Sequence, residues 1–349
     1  MKRKCLAVGI ILLFVATGII PATALKVTEK PSLPISNGNI LYVGGSGPGN
    51  YTKIQDAIND SNNGDTVYVF DDSSPYYENL FVNKSIHLSG ENRSTTIIDG
   101  RAKGNVVNIT ADRVTISGFT IQNSSSNGYV GGIMIISDYN TISNNTIIKN
   151  PGGGVITKCS MVDIGYNVVL ENIITDNGIG VNLDSGYFNN VSYNVISSNG
   201  VGIQFDEAFN STIYGNAIEN NSYGIYLTDS GNNIFSRNHI SGNKMYGVEI
   251  FATTNEKFIQ NNFIGNRRQV YFIQPIVTRI YFLWIRHHLP LQRNIWDGNY
   301  WERPRVLPYP IPGFVNIWFD FGTGDIPLVD FIQFDLHPAQ TPYNIPGMR

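Results

Sequence analysis

The chain has 349 residues, of which 42% are apolar and only 15% are charged, and its formal charge is −3. It contains 35 Gly and 41 Asn, a composition that excludes helical bundles, coiled coils and charged disordered tails and favours a turn-rich β architecture. The mild acidity, without any run of Lys or Arg, excludes a nucleic-acid-binding protein.

The N-terminus has the pattern of an export signal. Three basic residues at positions 2–4 precede an apolar stretch over residues 5–20, and Ala-Thr-Ala at positions 22–24 is a small-x-small cleavage site. We predict a signal peptide over residues 1–24, cleaved after Ala24, and a linker over residues 25–38. A secreted or cell-surface protein without a membrane span follows from this. An uncleaved anchor is the alternative, but the apolar stretch is short for a span.

The mature chain would keep a single cysteine, Cys159, so it forms no intrachain disulfide and depends on its core for stability. It carries ten Asn-x-Ser/Thr sequons, which make it a candidate glycoprotein if the host glycosylates.

One amphipathic helix is predicted near the start of the mature chain. Within residues 51–61, Ile54, Ala57 and Ile58 fall on one face. We expect this helix to cover the open end of the first coil. Short segments of period 2 follow at 66–70, 80–82, 86–88 and 96–98, and we predict that they are the first strands.

A repeat of about 22 residues fills the middle of the chain. One marker is Asn-x-(Ile/Val), with its Asn at positions 145, 167, 194, 216, 238 and 262. The other is Gly-(Ile/Val)-x-(Ile/Leu/Phe), beginning at Gly132, Gly180, Gly202, Gly224 and Gly247, with a looser copy at Gly154. Two or three short strands per 22 residues predict an all-β parallel β-helix over residues 39–272. A β-propeller is excluded, because its blades need about 40 residues.

Alternation within the Gly-Ile-x-Ile strands predicts two columns of outward side chains. The first column is Asn182, Gln204, Tyr226 and Glu249. The second is Asp184, Asp206 and Thr228, with Glu207 and Asp229 one residue further along. Neighbouring coils lie roughly 5 Å apart, which is the carboxyl separation of a retaining glycosidase.

Three interpretations of these columns remain open. The acidic residues can simply favour the turns that end each strand. They can bind sugar hydroxyls, or Ca²⁺ through Asp184, Asp206, Glu207 and Asp229. They can also be catalytic, with Asp184, Asp206 and Glu249 as the acid and base groups. Catalysis would need a cleft with walls, for which residues 172–178 and 187–190 are the candidates.

Residues 273–349 are rich in aromatic residues and proline and contain all four Trp. We predict a C-terminal cap or extension that packs aromatic rings onto the last coil. The alternative is a sugar-stacking site built from exposed Trp296 and Trp301.

Two groups of segments carry a family resemblance. The N-terminal group is YENLFVNKSIHLSGEN at 77–92 and TIIDG at 96–100, and the C-terminal group is WDGNYWERPR at 296–305 and FDLHPA at 334–339. Together with the Asn-x-Ile coils, they resemble exported archaeal proteins of the pectin-lyase-like, NosD type. The resemblance implies a right-handed parallel β-helix, a fold that hosts lyases, hydrolases, epimerases, adhesins and non-enzymes.

The resemblance leaves the function open. The NosD name implies copper, which needs clustered His, Cys or Met ligands, whereas the five His are scattered apart from the adjacent His287 and His288. The catalytic motifs of polygalacturonase-like and alginate-epimerase-like members are missing. We therefore predict a non-catalytic scaffold, without a required cofactor, that binds a polysaccharide, a cell-surface glycan or a surface protein. Its predicted ligand-binding residues are Asn182, Gln204, Tyr226, Glu207, Asp229, Trp296 and Trp301. A polysaccharide hydrolase, lyase or epimerase is the first alternative, and a copper-binding accessory protein is the second.

Overall fold

The computed structural model describes residues 38–126, 129–158, 164–278, 294–319 and 330–345. Its contacts separate Met1–Ser36 from Asn37–Arg349, and all described residues belong to the second unit. This unit is a right-handed parallel β-helix, as predicted. The predicted signal peptide, most of the predicted linker, Cys159 and the His287–His288 pair lie outside the described residues. Within the described part of the chain, no helix is long and apolar enough to cross a membrane.

Three long sheets form the sides of the β-helix. Sheet 1 contains Ile40–Val43, Thr66–Val69, His87–Gly90, Thr115–Ser117, Thr141–Ser143, Val168–Leu170, Asn190–Ser192, Thr212–Tyr214, Ile234–Ser236, Lys257–Ile259 and Ile295–Asp297. Sheet 2 contains Ile97–Asp99, Thr120–Gln122, Thr146–Ile148, Ile173–Thr175, Val195–Ser197, Ala217–Glu219, His239–Ser241, Asn262–Ile264 and Tyr300–Trp301. Sheet 3 contains Leu80–Val82, Val107–Ile109, Gly131–Ile135, Gly153–Lys158, Ile179–Asp184, Val201–Asp206, Tyr223–Thr228, Tyr246–Phe251, Arg268–Thr278, Tyr309–Phe319 and Asp330–Asp335. A small fourth sheet pairs Ile164–Gly165 with Gly186–Tyr187.

The core consists of columns of inward side chains, one from each coil. The column of sheet 1 is Ile142, Val169, Val191, Ile213, Phe235, Phe258 and Trp296. The column of sheet 2 is Ile147, Ile174, Ile196, Ile218, Ile240, Phe263 and Trp301. All of these side chains are buried. Burial of each side chain stabilises the folded state by about 1.5–3 kcal/mol. Every coil therefore adds its own share of hydrophobic stabilisation.

Buried polar ladders run along the three corners between the sheets. In a typical step, Asn172 Oδ1 accepts the Asn145 backbone N–H at 2.9 Å, and Asn172 Nδ2 donates to the Ile142 carbonyl at 2.9 Å. The first ladder, before sheet 1, is Asn140, Asn167, Asn189, Ser211, Asn233, Glu256 and Asn294. The second, between sheets 1 and 2, is Asn145, Asn172, Asn194, Asn216, Asn238, Asn261 and Asn299. The third, between sheets 2 and 3, is Asn150, Asn177, Asn199, Asn221, Asn243 and Asn266.

These ladders correct the predicted Asn marker at two positions. Asn167 belongs to the first ladder, and Asn262 follows the true ladder residue, Asn261. The second ladder advances by 27, 22, 22, 22 and 23 residues from Asn145 to Asn261. The period was therefore predicted well. The marker failed at these two positions because ladder residues lie only about five positions apart within each coil. An Asn of one ladder can therefore be mistaken for an Asn of the next.

The predicted helix is present as α1, Ile54–Asp60, with Ile54, Ala57 and Ile58 buried. It packs against the first strands of sheets 1 and 3. The Glu78 carboxylate accepts the backbone N–H groups of Ile54 at 2.8 Å and Gln55 at 3.0 Å. Glu78 thus satisfies two N–H groups that the first turn of a helix leaves free.

The β-helix continues past residue 272, the boundary predicted from composition. Ile295–Asp297 and Tyr300–Trp301 pair in parallel with the preceding coil, and Tyr309–Phe319 pairs with Arg268–Thr278. The last strand, Asp330–Asp335, is antiparallel. Residues after 272 therefore supply one further turn of the three sheets before the antiparallel strand.

Candidate functional site

The outer face of sheet 3 carries the predicted columns in the predicted register. Gln204 pairs with Asn182 on one side and with Tyr226 on the other, and Glu249 pairs with Tyr226. The column continues to Tyr271. The inward neighbours on these strands, such as Ile203 and Phe205, are fully buried. Strand alternation thus predicted the faces of these side chains.

The second column is also aligned. Asp184 pairs with Lys158 before it and with Asp206 after it, and Asp206 pairs with Thr228. Neighbouring coils are about 4.8 Å apart, so the two aspartates sit next to each other. Glu207 and Asp229 each follow the last residue of a sheet 3 strand, in successive coils. Their φ angles are 51° and 46°, and both residues are exposed. Four carboxylates therefore lie along one edge of sheet 3.

Two carboxyl groups of this face, those of Asp206 and Glu249, have raised pKa values. Partial burial raises the pKa of Asp206, and the charges of Asp184, Glu207 and Asp229 raise it further. Burial also raises the pKa of Glu249. A carboxyl group whose pKa is raised keeps its proton closer to neutral pH, which is the property of a general acid.

The structure describes no group of three or more His, Cys, Asp or Glu side chains arranged to hold a metal ion. The predicted Ca²⁺ ligands lie in two adjacent columns, Asp184 and Asp206 at the strand ends and Glu207 and Asp229 in the turn. Calcium binding at these four carboxylates therefore stays a prediction.

A row of tyrosines lies on the same face, and of its four members the sequence analysis predicted only Tyr226. The Tyr223 and Tyr246 rings stack at 5.9 Å between centroids, and the Tyr246 and Tyr271 rings stack at 5.4 Å. The Tyr226 ring meets Tyr223 edge-on at 6.1 Å. All four are half-buried. They form what we call the tyrosine row: Tyr223, Tyr226, Tyr246 and Tyr271.

Strict alternation hid two members of the tyrosine row, Tyr223 and Tyr246. It assigns the residue before each strand glycine to the inner face, because that residue is two positions before an inward Ile. The glycine, however, sits at a close approach of chains, where a Cβ on Gly202 would come within 2.8 Å of the Ile218 Cγ2 atom in the core. Two successive residues, the glycine and the following Ile, thus face inward, and the residue before them turns outward.

The candidate face begins at Gln204. Asn182 is only 2% exposed, and its Oδ1 atom has no hydrogen-bond partner. The preceding members of its column, Met134 and Ile156, are buried as well. Asn182, predicted as an outward ligand-binding residue, is therefore not accessible, whereas Gln204, Tyr226 and Glu249 are partly exposed.

The two segments predicted to wall a catalytic cleft do not form one. Residues 172–178 hold strand Ile173–Thr175 of sheet 2 between two ladder residues, and residues 187–190 connect strand Gly186–Tyr187 of the fourth sheet with strand Asn190–Ser192 of sheet 1. Neither segment adds an extra loop beside sheet 3. Their lengths come from the regular coil.

A cavity of about 520 Å³ lies at the C-terminal end of this face. It lies between the start of strand Arg268–Thr278 and the start of strand Tyr309–Phe319. It is lined by Asn266, Arg267, Arg268, Gln269, Val270, Tyr271, Glu302, Tyr309, Ile311, Pro312 and Phe314. Tyr271 belongs both to this lining and to the tyrosine row, so the cavity continues the face.

Trp296 and Trp301 are core residues, which corrects the expectation of exposed rings. They are 4% and 1% exposed. Trp296 stacks on Phe258 at 4.2 Å, and Trp301 stacks on Phe263 at 4.4 Å and on Tyr309 at 4.2 Å. Their rings extend the inward columns and are not available to stack on a sugar.

A family model described as periplasmic copper-binding protein (NosD) matches residues 156–306, and a model described as a protein of unknown function (DUF1565) matches residues 80–209. The described residues of both matched regions belong to the coils given above. The chain is a right-handed parallel β-helix protein. No curated protein matches its sequence significantly.

Solved structures share the fold of this β-helix protein. The A-module of the mannuronan C-5 epimerase AlgE6 from Azotobacter vinelandii has a TM-score of 0.53 at 13% identity, covering 83% of this chain and 91% of that chain. The AlgE4 A-module from the same organism has a TM-score of 0.50 at 17% identity, covering 63% and 76%. ORF18 of Geobacillus virus E2 has a TM-score of 0.51 at 16% identity, covering 79% and 59%. At these identities the likeness concerns the fold alone.

Proposed function

We propose that this β-helix protein binds a carbohydrate chain along the outer face of sheet 3. The single observation that carries the proposal is the tyrosine row, which runs along the helix axis beside Gln204 and Glu249. Aromatic rings bind the apolar faces of sugars, while amide and carboxylate groups bond their hydroxyls. The face repeats every ~4.8 Å, so equivalent groups meet successive parts of an extended ligand.

The charge of the face favours a neutral glycan. Asp206, Glu207, Asp229 and Glu249 are its charged groups between Gln204 and Glu249, and no basic residue lies on these strands. A polyanion would be repelled along this stretch. The predicted export signal and the match to a periplasmic family model support an exported protein that meets its ligand outside the cytoplasm.

Hydrolysis of the bound glycan is the second candidate function. It is supported by the adjacent Asp184 and Asp206 and by the raised pKa of Asp206. Carboxyl groups about 5 Å apart suit a retaining mechanism, with the group of higher pKa as the acid. Glu249, whose pKa is also raised, is one coil beyond Thr228 and completes this candidate set.

Copper binding has less support. The described His side chains are dispersed: His87 lies in sheet 1, His239 lies in sheet 2 against Glu219, and His337 contacts Asp297 in the C-terminal region. The ligand clusters that copper needs are therefore not assembled from them.

We expect the purified protein to be retained on one or more neutral polysaccharides, and Tyr246→Ala to weaken this binding at least ~10-fold, because hot-spot aromatic residues contribute more than about 1.4 kcal/mol. Tyr139→Ala is the matched control, since Tyr139 is an exposed, stacked tyrosine of a different surface. Affinity is measured by titration with soluble oligosaccharides. Equal loss in both variants, or no loss in either, contradicts the proposal.

The same incubations separate the two candidates when they are scored for new reducing or unsaturated ends. Retention without new ends supports a binding protein. New ends that disappear in an Asp184→Asn/Asp206→Asn variant, with retention unchanged, assign hydrolysis to this pair. Each arm is repeated with and without Ca²⁺, which tests the predicted calcium dependence.

A further inference from the structure

We propose that the cavity at the C-terminal end of sheet 3 binds an anionic substituent, a carboxylate or a sulfate ester, on a sugar at one end of the glycan. This inference rests on the proposed carbohydrate binding and specifies the direction in which the glycan chain lies on the face. The neutral part of the ligand would lie on the tyrosine row, and the charged end would enter the cavity.

Two arginines without an ion-pair partner among the described residues provide the positive charge. Arg267 and Arg268 are exposed and line the cavity, and neither forms a salt bridge within the described part of the chain. Their backbones are held at the start of strand Arg268–Thr278 of sheet 3. The Arg267 N–H donates to the Asn243 carbonyl, and the Arg268 N–H donates to the Met245 carbonyl. Their exposed side chains therefore line the cavity from a hydrogen-bonded backbone.

Arg268 connects the cavity with the tyrosine row. Its guanidinium carbon lies 5.8 Å from the centre of the Tyr246 ring, and Tyr271 contributes to both surfaces. A planar guanidinium offers paired N–H donors that match the oxygen atoms of carboxylate and sulfate. A ligand lying on Tyr246 would therefore meet Arg268 as it enters the cavity.

The remaining lining suits a sugar ring. The Tyr271 and Phe314 rings meet edge-on at 6.0 Å. The Tyr309 ring stacks on Trp301 at 4.2 Å and lies 4.6 Å from the Arg305 guanidinium carbon. The Tyr271, Tyr309 and Phe314 rings give the lining an apolar part, and a volume of about 520 Å³ is in the range of ligand sites.

Glu302 is the one acidic residue of the lining. Its Oε2 accepts a hydrogen bond from Gln269 Nε2 at 3.4 Å, so it can also accept a sugar hydroxyl. With Arg267 and Arg268, the lining carries one net positive charge. The strands that lead to it carry Asp206 and Glu249, and this contrast in charge directs an anionic group to the cavity end only.

The test compares four small probes by calorimetric titration: methyl glucoside, methyl glucuronide, glucose 6-sulfate and inorganic sulfate. We expect the two charged sugars to bind at least ~10-fold more tightly than methyl glucoside, with an affinity that falls as salt increases. The carboxylate and sulfate arms identify which group is preferred. Equal affinity for charged and neutral sugars would overturn the inference, and equal affinity for inorganic sulfate and glucose 6-sulfate would show a bare anion site that does not recognise sugar.

An Arg267→Gln/Arg268→Gln variant is expected to remove this difference between charged and neutral sugars. The single variant Arg267→Gln, at a residue that lines the cavity away from the Tyr246 ring, is expected to reduce the difference while keeping the binding of neutral oligosaccharides on the tyrosine row. Arg113→Gln is the control, because Arg113 lies over Tyr139 on another surface. If the double variant keeps the preference for charged sugars, the cavity is not their site. If wild-type protein binds charged monosaccharides but no neutral oligosaccharide, the proposed function fails and the cavity site stands alone.

Discussion

Replacing Asp335 with Ala is expected to open the C-terminal end of the β-helix. Asp335 is fully buried, and its Oδ2 atom accepts Asn299 N–H at 2.9 Å, Asn299 Nδ2 at 3.0 Å and Trp301 Nε1 at 3.0 Å. Its Oδ1 atom accepts the His337 N–H at 3.1 Å. It thus ends the second Asn ladder. Leaving these donors unpaired costs roughly 3–5 kcal/mol.

The loss should be local, because each coil of a repeat protein contacts only its neighbours. We expect hydrogen exchange of the last two coils, Asn262–Ile264 and Tyr300–Trp301, to accelerate about 10²- to 10⁴-fold, as a 3–5 kcal/mol loss implies. Asp297→Ala is the control, since its side chain is 55% exposed and its partner is the exposed His337. Unchanged exchange in Asp335→Ala would contradict the role of Asp335 as the ladder cap.

Replacing Glu256 with Gln is expected to stabilise the protein at pH 8. Glu256 occupies an Asn position of the first ladder, where its carboxyl group accepts the Asn233 N–H at 2.9 Å and Asn233 Nδ2 at 3.1 Å. Burial raises its pKa from 4.5 to about 8, although the two hydrogen bonds from Asn233 oppose the shift. The folded state therefore retains a proton that the unfolded chain has released.

The sign of the pH dependence follows from this difference. Between about pH 4.5 and 8 the folded state binds more protons at Glu256, so the free energy of unfolding falls as pH rises, by a few kcal/mol. Gln cannot ionise, so the variant should lack this fall and exceed the wild type at pH 8. Thermal unfolding at pH 5 and pH 8 measures the effect. Glu171→Gln, at an exposed site, should keep the wild-type slope, and the same slope in Glu256→Gln would refute the account.

The fold was predictable because two simple patterns carry it. A 22-residue period and the glycine-led strands give the coils, and alternation gives the faces, so Gln204, Asp206 and Glu249 were placed correctly. Such patterns depend only on neighbours along one strand and on the same position one coil away. Both are visible in the sequence.

Features that depend on contacts between distant segments could not be predicted in this way. Burial of Asn182 and Trp301 reflects what covers or stacks on them, and the cavity needs Arg268 and Tyr309 to be brought together across the last coil. The ladder role of Asp335 depends on a strand that reverses direction. No spacing rule in the sequence links these residues.

The position of the bound glycan is the most direct test of the account. Hydroxyl-radical footprinting, read by mass spectrometry, would compare side-chain oxidation with and without an oligosaccharide that the protein retains. We predict protection of Tyr223, Tyr246 and Tyr271, with unchanged oxidation of the exposed rings Tyr139, Tyr166 and Phe188 on the other surface. Protection of the latter group, with the tyrosine row unaffected, would contradict the claim that sheet 3 is the binding face.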